Sequence, residues 1–249
     1  MSASLSASPR LFCADPLPEQ GHVVLPEAAG HHAARVLRLR EGDALTLFDG
    51  RGGERDARVL AIRRDQVEAT IVASRAVERE SALDLRLVQC LQGGDKMDLT
   101  IQKAVELGVS AIVPVAARRS VVRLDAERAG KRLLHWQQVV IAACEQCGRN
   151  RIPVVMPVEP LERYLGRPAL AGLLRLHLSP AATLTAATLP APSAVELLVG
   201  PEGGLAPEEV LAAEAAGFVG LRLGPRVLRT ETAGLAALSA LHARWGDFL

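Results

Sequence analysis

Apolar and polar positions in the first third of the chain alternate in short runs separated by turn residues. Ala44 to Asp49, Ala57 to Ile62 and Gln66 to Val72 carry the period-two pattern of half-buried strands, and Gly50-Arg51-Gly52-Gly53 between the first two is a hairpin tip. One short helix is predicted around His31 to Leu39. The pattern reads as a small β-barrel over residues 1–75.

After a charged, loop-like passage from Ser74 to Ser81 the period changes, and strands alternate with longer amphipathic stretches over residues 76–249. Leu83 to Leu91 predicts a strand. Asp95 to Leu107 predicts a helix, with Met97, Ile101, Ala104, Val105 and Leu107 near helical spacing and Gly108 placed to end it. Ala111 to Val115 and Pro153 to Met156 read as strands, with a helix from Asp125 to Ala143 between them. Gly172 to Leu178, Ala194 to Val199 and Phe218 to Leu223 fit buried parallel strands. Pro207 to Ala216 is a helix with Pro in its first turn and two glutamates beside it, and Thr230 to Trp245 is an Ala/Leu-rich terminal helix. The second domain is therefore α/β.

Composition narrows the class. A chain of 249 residues favours two domains over one, and 49% hydrophobic against 23% charged residues excludes disorder. The weakly charged run from Leu178 to Ala194 is broken by Ser, Thr and three prolines, so no membrane span is expected. Met1 to Ser8 lacks a basic start and an apolar centre, so it is not read as a secretion signal, and a cytoplasmic location is the default expectation. Cys13, Cys90, Cys144 and Cys147 include one C-x-x-C, too few ligands for a zinc site, and read as buried thiols with no metal. Ten Lys and Arg against five Asp and Glu from Lys96 to Arg151 give a basic middle, whereas residues 1–75 balance at ten against ten. Charge alone does not decide for nucleic acid.

Two strands of the last third end alike, in Val199-Gly200-Pro201-Glu202-Gly203-Gly204 and Leu223-Gly224-Pro225-Arg226. Either Gly-Pro alone is turn chemistry. Two of them beyond the carboxyl ends of parallel strands suit opposite walls of one pocket, and glycines let backbone groups approach a flat ligand. Neither loop matches a phosphate-binding glycine loop, and no Lys is near them in sequence, which disfavours a nucleoside triphosphate or a dinucleotide.

These loops, with Leu228-Arg229-Thr230-Glu231-Thr232-Ala233 after the second, resemble the SPOUT methyltransferases, and specifically the ribosomal RNA small subunit methyltransferase E family. Gly94-Asp95-Lys96-Met97, Gln102 to Val109 and Ala142 to Pro153 extend the resemblance upstream. Arg10-Leu11-Phe12 and His32 to Arg38 resemble the family's PUA-like RNA-binding domain, so nearly the whole chain is covered. His177-Leu178-Ser179-Pro180 departs from the family pattern, in which Pro follows His directly. The resemblance implies an α/β-knot fold with a deep C-terminal trefoil knot, a homodimer, S-adenosylmethionine as the cofactor, and methylation of N3 of one uridine in the 16S rRNA of the small ribosomal subunit. It implies a cofactor site built from Leu198, Val199, Gly200, Pro201, Glu202, Gly203, Gly204, Leu223, Gly224, Leu228, Thr232 and Ala233.

Loss of the N3 proton leaves charge on both neighbouring carbonyls, which a guanidinium stabilises by paired hydrogen bonds. Arg229 is the candidate; Glu231 is suited to orient it or to accept the proton, although an acid at the head of a helix also complements the dipole. Arg226 is read as holding RNA or structure. For RNA phosphates the candidates are Arg10, His32, Arg35 and Arg38, the last three spaced for one helical face, with Arg118, Arg119, Arg149 and Arg151 in the second domain. Arg149 is also one helical turn from Glu145 and suited to pair with it. With aromatics at 3%, recognition rests on phosphates and folded shape rather than base stacking. A SPOUT enzyme acting on tRNA or a ribose 2′-hydroxyl, and a non-catalytic RNA-binding assembly factor, are the alternatives; the second predicts RNA binding without cofactor binding.

Overall fold

The computed structural model describes residues 8–64, 66–168 and 171–248; Met1 to Ala7 of the Ser/Ala-rich start lie outside them. The chain divides into two compact units, one through Glu80 that also takes in Cys144–Ile152, the other made of Ser81–Ala143 and Pro153–Leu249. The first unit thus goes beyond the expected 1–75 boundary and recruits a segment of the expected second domain.

The first unit holds a five-stranded sheet in the order β1-β3-β4-β5-β2, from β1 (Arg10–Phe12), β2 (Gly21–Val24), β3 (Ala44–Phe48), β4 (Glu54–Arg63) and β5 (Gln66–Arg75). β1 runs parallel to β3, and the other pairings are antiparallel. Period-two alternation sends Leu45, Leu47, Ala57, Val59, Val67 and Ala69 into one core. The predicted helix at His31 to Leu39 begins earlier, as α1 (Glu27–His31) behind Pro26, and continues into a π-helical turn over His32–Val36, with Leu37 N–H bonded to His32 O at 3.0 Å. Arg38 lies beyond the turn in the left-handed region, at φ 54°. The wider winding breaks the three-residue spacing expected to align His32, Arg35 and Arg38 on one face.

Cys144–Ile152 belongs to this unit because its polar groups complete a buried network. Asn150, fully buried, accepts from Arg10 at 2.6 Å through Oδ1 and donates through Nδ2 to Val77 O at 2.9 Å and Glu54 at 3.3 Å. Glu54, 1% exposed, is ion-paired with Arg10 at 2.5 Å, Arg75 at 2.9 Å and Arg79 at 3.2 Å. Burial alone raises its carboxyl, but the guanidiniums of Arg10 and Arg79 outweigh that and hold it below the ordinary carboxylate range.

The second unit carries a parallel sheet in the order β12-β10-β11-β6-β7-β8, with β9 also on β7. Its strands are β6 (Asp84–Cys90), β7 (Ala111–Ala116), β8 (Val154–Val155), β9 (Glu159–Pro160), β10 (Leu173–Leu178), β11 (Ala194–Val199) and β12 (Phe218–Leu221). Pro114 sits inside β7 opposite the break between β8 and β9, where its missing N–H leaves no ladder bond unmade. The helices are α2 (Lys96–Glu106), α3 (Ala126–Cys147), α4 (Leu161–Leu165), α5 (Pro207–Ala215) and α6 (Thr230–Trp245). Gly108 at φ 85° closes the end of α2, its N–H bonded to Val105 O, as its position in the sequence predicts. Val88, Val113, Val115 and Leu198 pack with Leu161, Tyr164 and Ala213 of α4 and α5. The alternate face of the sheet, with Leu87, Gln89 and Val199, meets α6 at Gly234. No helix among the described residues is long and apolar enough to cross a membrane.

Candidate active site

β11 and β12 flank β10 and all three run parallel, so the segments following them emerge along one edge of the sheet. They enclose a cavity of about 640 Å³. The first glycine loop turns back through Gly204 N–H to Pro201 O at 2.9 Å, and the second runs from Arg222 to Arg229 before α6 begins.

Both loops line this one cavity, as their matching sequences predict. Val199, Gly200, Pro201, Glu202, Gly203 and Gly204 contribute from the first; Leu223, Gly224, Leu228, Arg229, Glu231 and Ala233 come from the second and the helix it opens. The side chains of Leu198 and Thr232 stand apart from the lining. Leu198 falls on the opposite parity of β11 and is fully buried in the core under α4 and α5, while Thr232 is exposed on the first turn of α6 and is not part of the lining. Arg226 also lines the cavity.

Arg229 has extended backbone at the start of α6 and accepts from Thr232 and Ala233 N–H through its carbonyl, which leaves the side chain exposed along the cavity. Glu231, in the first turn of α6, is held by Lys96, whose Nζ lies 3.5 Å from Glu231 Oε1 and 3.6 Å from Glu202 Oε1. The other oxygen of Glu231 is buried and accepts no hydrogen bond among the described residues.

Lys96 is a cation that sequence proximity to the loops does not reveal; it arrives from the start of α2. The run Gly94-Asp95-Lys96-Met97 was its sole sequence signal. Beneath the loops lies a second feature invisible to periodicity, a buried polar cluster. Thr230 donates to Gly200 O at 2.6 Å and accepts from Gln89 at 3.2 Å. With its amide assigned in the orientation that satisfies both ends, Gln92 donates to Thr100 Oγ1 at 2.9 Å and Lys96 O at 3.2 Å, and accepts from Glu231 N–H at 3.2 Å. The cluster ties the first loop, α2 and the head of α6 together.

His177, 2% exposed, is on the cavity wall, and neither ring nitrogen has a hydrogen-bond partner among the described residues. Burial pushes its imidazole below the ordinary histidine value, only partly opposed by Glu214, so the ring is neutral at pH 7 and presents one donor and one acceptor. In the departing run His177-Leu178-Ser179-Pro180, Leu178 still pairs with Leu221, and Ser179 N–H bonds Leu221 O at 3.0 Å. All four residues of the run stay against the cavity.

The proposed phosphate contacts scatter. Arg10 is turned inward on Glu54 and Asn150, and Arg149, 5% exposed, is paired with Glu80 rather than with Glu145, whose carboxylate accepts from Phe12 N–H at 2.9 Å. Both guanidiniums hold the first unit together instead of facing solvent. Arg151 is half-exposed and pairs with Glu78 at 2.7 Å. Arg119 donates to Gly203 O at 3.2 Å, beside the first glycine loop, and exposed Arg118 stands 3.9 Å from Glu208. His32, Arg35 and Arg38 remain on the surface of the first unit. All four thiols are free; burial pushes Cys13 and Cys144 up to about 12.

The sequence profile of an RNA methyltransferase domain matches residues 79–242, and that of an RNA methyltransferase PUA domain matches residues 25–72. The ribosomal RNA small subunit methyltransferase E of Mycobacterium bovis is 38% identical over 248 residues, 94% of this chain and 93% of that protein. The chain belongs to the ribosomal RNA small subunit methyltransferase E family. The Neisseria gonorrhoeae member, solved bound to S-adenosyl methionine, is 42% identical with a TM-score of 0.93, covering 98% of this chain and all of that one. A methyltransferase of Legionella pneumophila, solved with bound cofactor SAM, is 38% identical with a TM-score of 0.92, covering 97% and 100%. Family membership explains why the glycine loops, the Arg229–Ala233 run and the upstream motifs occur together.

Proposed function

We propose that the chain transfers a methyl group from S-adenosylmethionine to N3 of one uridine in the 16S rRNA of the small ribosomal subunit. The observation that carries this reading is the convergence of both glycine loops, Arg229 and Glu231 on one cavity in a member of this family.

The residues fit the cofactor. At Gly204 (φ 68°) and Gly224 (φ 137°) nothing stands within 4 Å of where a Cβ would be, so the backbone there is open to a flat ligand and closed to other residue types. His177 offers unpaired buried ring nitrogens to a ligand rich in donors and acceptors. Gly200, Gly203, Leu223 and Leu228 would hold the cofactor through backbone groups, with His177 on the wall. When bound, it supplies a methyl carbon activated by the positive charge on sulfur, so alignment and a competent nucleophile are what remain.

Arg229, which makes no side-chain bond to any described residue, directs paired charge-assisted hydrogen bonds at the carbonyls flanking N3 and stabilises the anion. Glu231 accepts the N3 proton through its unpaired oxygen. His32, Arg35, Arg38, Arg118, Arg119 and Arg151 supply phosphate contacts. Family membership further supports a trefoil knot in the parallel unit, closure of the five-stranded sheet into a barrel, a homodimer and a cytoplasmic location.

Incubation with labelled S-adenosylmethionine and unmodified small subunits, followed by nucleoside mass spectrometry, is expected to give 3-methyluridine at one site. Label confined to tRNA, or on ribose, overturns the substrate assignment. Arg229→Ala is expected to slow turnover by about 10²–10³ with unchanged S-adenosylhomocysteine affinity by calorimetry; parallel loss of both would make Arg229 a cofactor ligand.

A further inference from the structure

We propose that Lys96 is a clasp that joins the first glycine loop to the head of α6, where the second loop ends, and turns the free oxygen of Glu231 toward the substrate nitrogen. The identity of that nitrogen rests on the rRNA-methylation reading; the joining does not.

The ammonium of Lys96 stands between a carboxylate of the first loop and one at the head of α6, the helix that the second loop opens, 3.6 Å from Glu202 and 3.5 Å from Glu231. Each partner is fixed a second time by the same neighbourhood. Glu202 Oε1 accepts from Gly93 N–H at 3.2 Å, and the backbone N–H of Glu231 and the carbonyl of Lys96 both bond Gln92 at 3.2 Å. The start of α2 is thus the hub on which the first loop and the head of α6 close. The lysine side chain is 37% exposed and that of Glu231 15%, so the pair is screened only in part and is set by geometry as much as by charge.

The consequence lies in the second oxygen. With Oε1 committed to Lys96, Oε2 of Glu231 is buried with no hydrogen bond among the described residues. A buried acceptor without a donor is costly, so the donor arrives with a ligand. Three N–H donors enter this cavity under the proposed function: the imide of the base, and the ammonium and the adenine amine of the cofactor. Glu231 sits in the first turn of α6, two residues from Arg229, the residue assigned to the base, which favours the imide. In the step, the N3 proton passes to Glu231 Oε2 while the N–H electron pair stays on nitrogen. That pair forms the new N–C bond, and the pair of the breaking C–S bond remains on sulfur. Lys96 keeps its proton and touches only carboxylates, so it is a positioning residue.

Four variants test this: Lys96→Met, Lys96→Arg, Glu231→Gln, and Lys96→Met with Glu231→Gln. In the free protein, Lys96→Met is expected to speed amide exchange several-fold in both 200–204 and 224–231, with Lys96→Arg restoring protection; unchanged exchange overturns the clasp. In methylation of unmodified small subunits, Lys96→Met is expected to lower kcat about 10–100-fold, the scale of a misplaced catalytic group, with little change in KM for the cofactor. The double variant is expected to be no slower than Glu231→Gln, because the lysine acts through the glutamate. Multiplying effects overturn the coupling, and a large loss of S-adenosylhomocysteine affinity in Glu231→Gln assigns its oxygen to the cofactor instead. An inactive wild type sinks the function reading alone, since amide exchange reads the clasp without activity.

Discussion

His177 shows how a single side chain couples the site to the stability of the sheet. Folded, it holds a proton more weakly than the unfolded chain does, because burial disfavours the imidazolium. Its contribution to stability is therefore complete above the ordinary histidine value of 6.5 and is lost as pH falls through that value toward the lower folded one. Thermal unfolding followed between about pH 7.5 and about pH 5.5 is expected to show a smaller acid-side loss for His177→Asn than for wild type; equal slopes would mean the ring is not held neutral. The sequence made His177 visible as part of an irregular run, but its burial and unpaired nitrogens arise from the strand pairing that surrounds it. Arg229 and Glu231 were legible as candidates because the chemistry of an anionic base calls for those groups after a glycine loop. Lys96 was not, since nothing local ties a residue at the head of α2 to loops more than a hundred positions away.

At the scale of elements, the strands of the parallel sheet were readable from apolar runs, yet two of them carry charges at their centres. Register resolves the conflict by placing Arg175 of β10 opposite Glu196 of β11, where Nε and Oε2 lie 2.9 Å apart with both side chains 6% exposed. Tyr164 of α4 donates to Glu196 at 2.5 Å, and Arg175 also donates to Ala216 O at 2.9 Å, so each charge is shared among several partners. Glu196→Gln leaves a buried guanidinium without its counter-charge and is expected to cost about 3–5 kcal/mol in denaturant unfolding. Arg175→Met with Glu196→Leu is expected to recover most of that loss, and a single-variant cost below about 1 kcal/mol would show that the pair is solvated. α4 and β9, both short, gave no periodic signal, and the π-helical turn after α1 escaped a reading that assumed ordinary helical winding.

At the scale of the whole molecule, the division into an N-terminal β unit and a C-terminal parallel α/β unit follows from the change of hydrophobic period near residue 80, but the chain does not divide at one cut. Cys144–Ile152 returns to the first unit because Asn150 there satisfies Arg10, Glu54 and Val77 together. Asn150→Ala leaves these groups unpaired and is expected to cost about 1–3 kcal/mol. The loss should appear as faster amide exchange in β4 and β5 with β6 and β11 unchanged; equal loss in both units would mean that they unfold as one. What the sequence determined by itself is everything that depends on near neighbours: the alternation that makes strands, the spacing that makes α2 and α6, and the two glycine loops whose backbone must reach conformations other residues resist. What only the tertiary structure decided is which distant groups meet: Lys96 with Glu202 and Glu231, Arg175 with Glu196, and Asn150 with Glu54. The physical reason is that periodicity reports burial on one element, whereas a buried charge or a ligand cavity is balanced by partners that strand order and register bring from elsewhere in the chain.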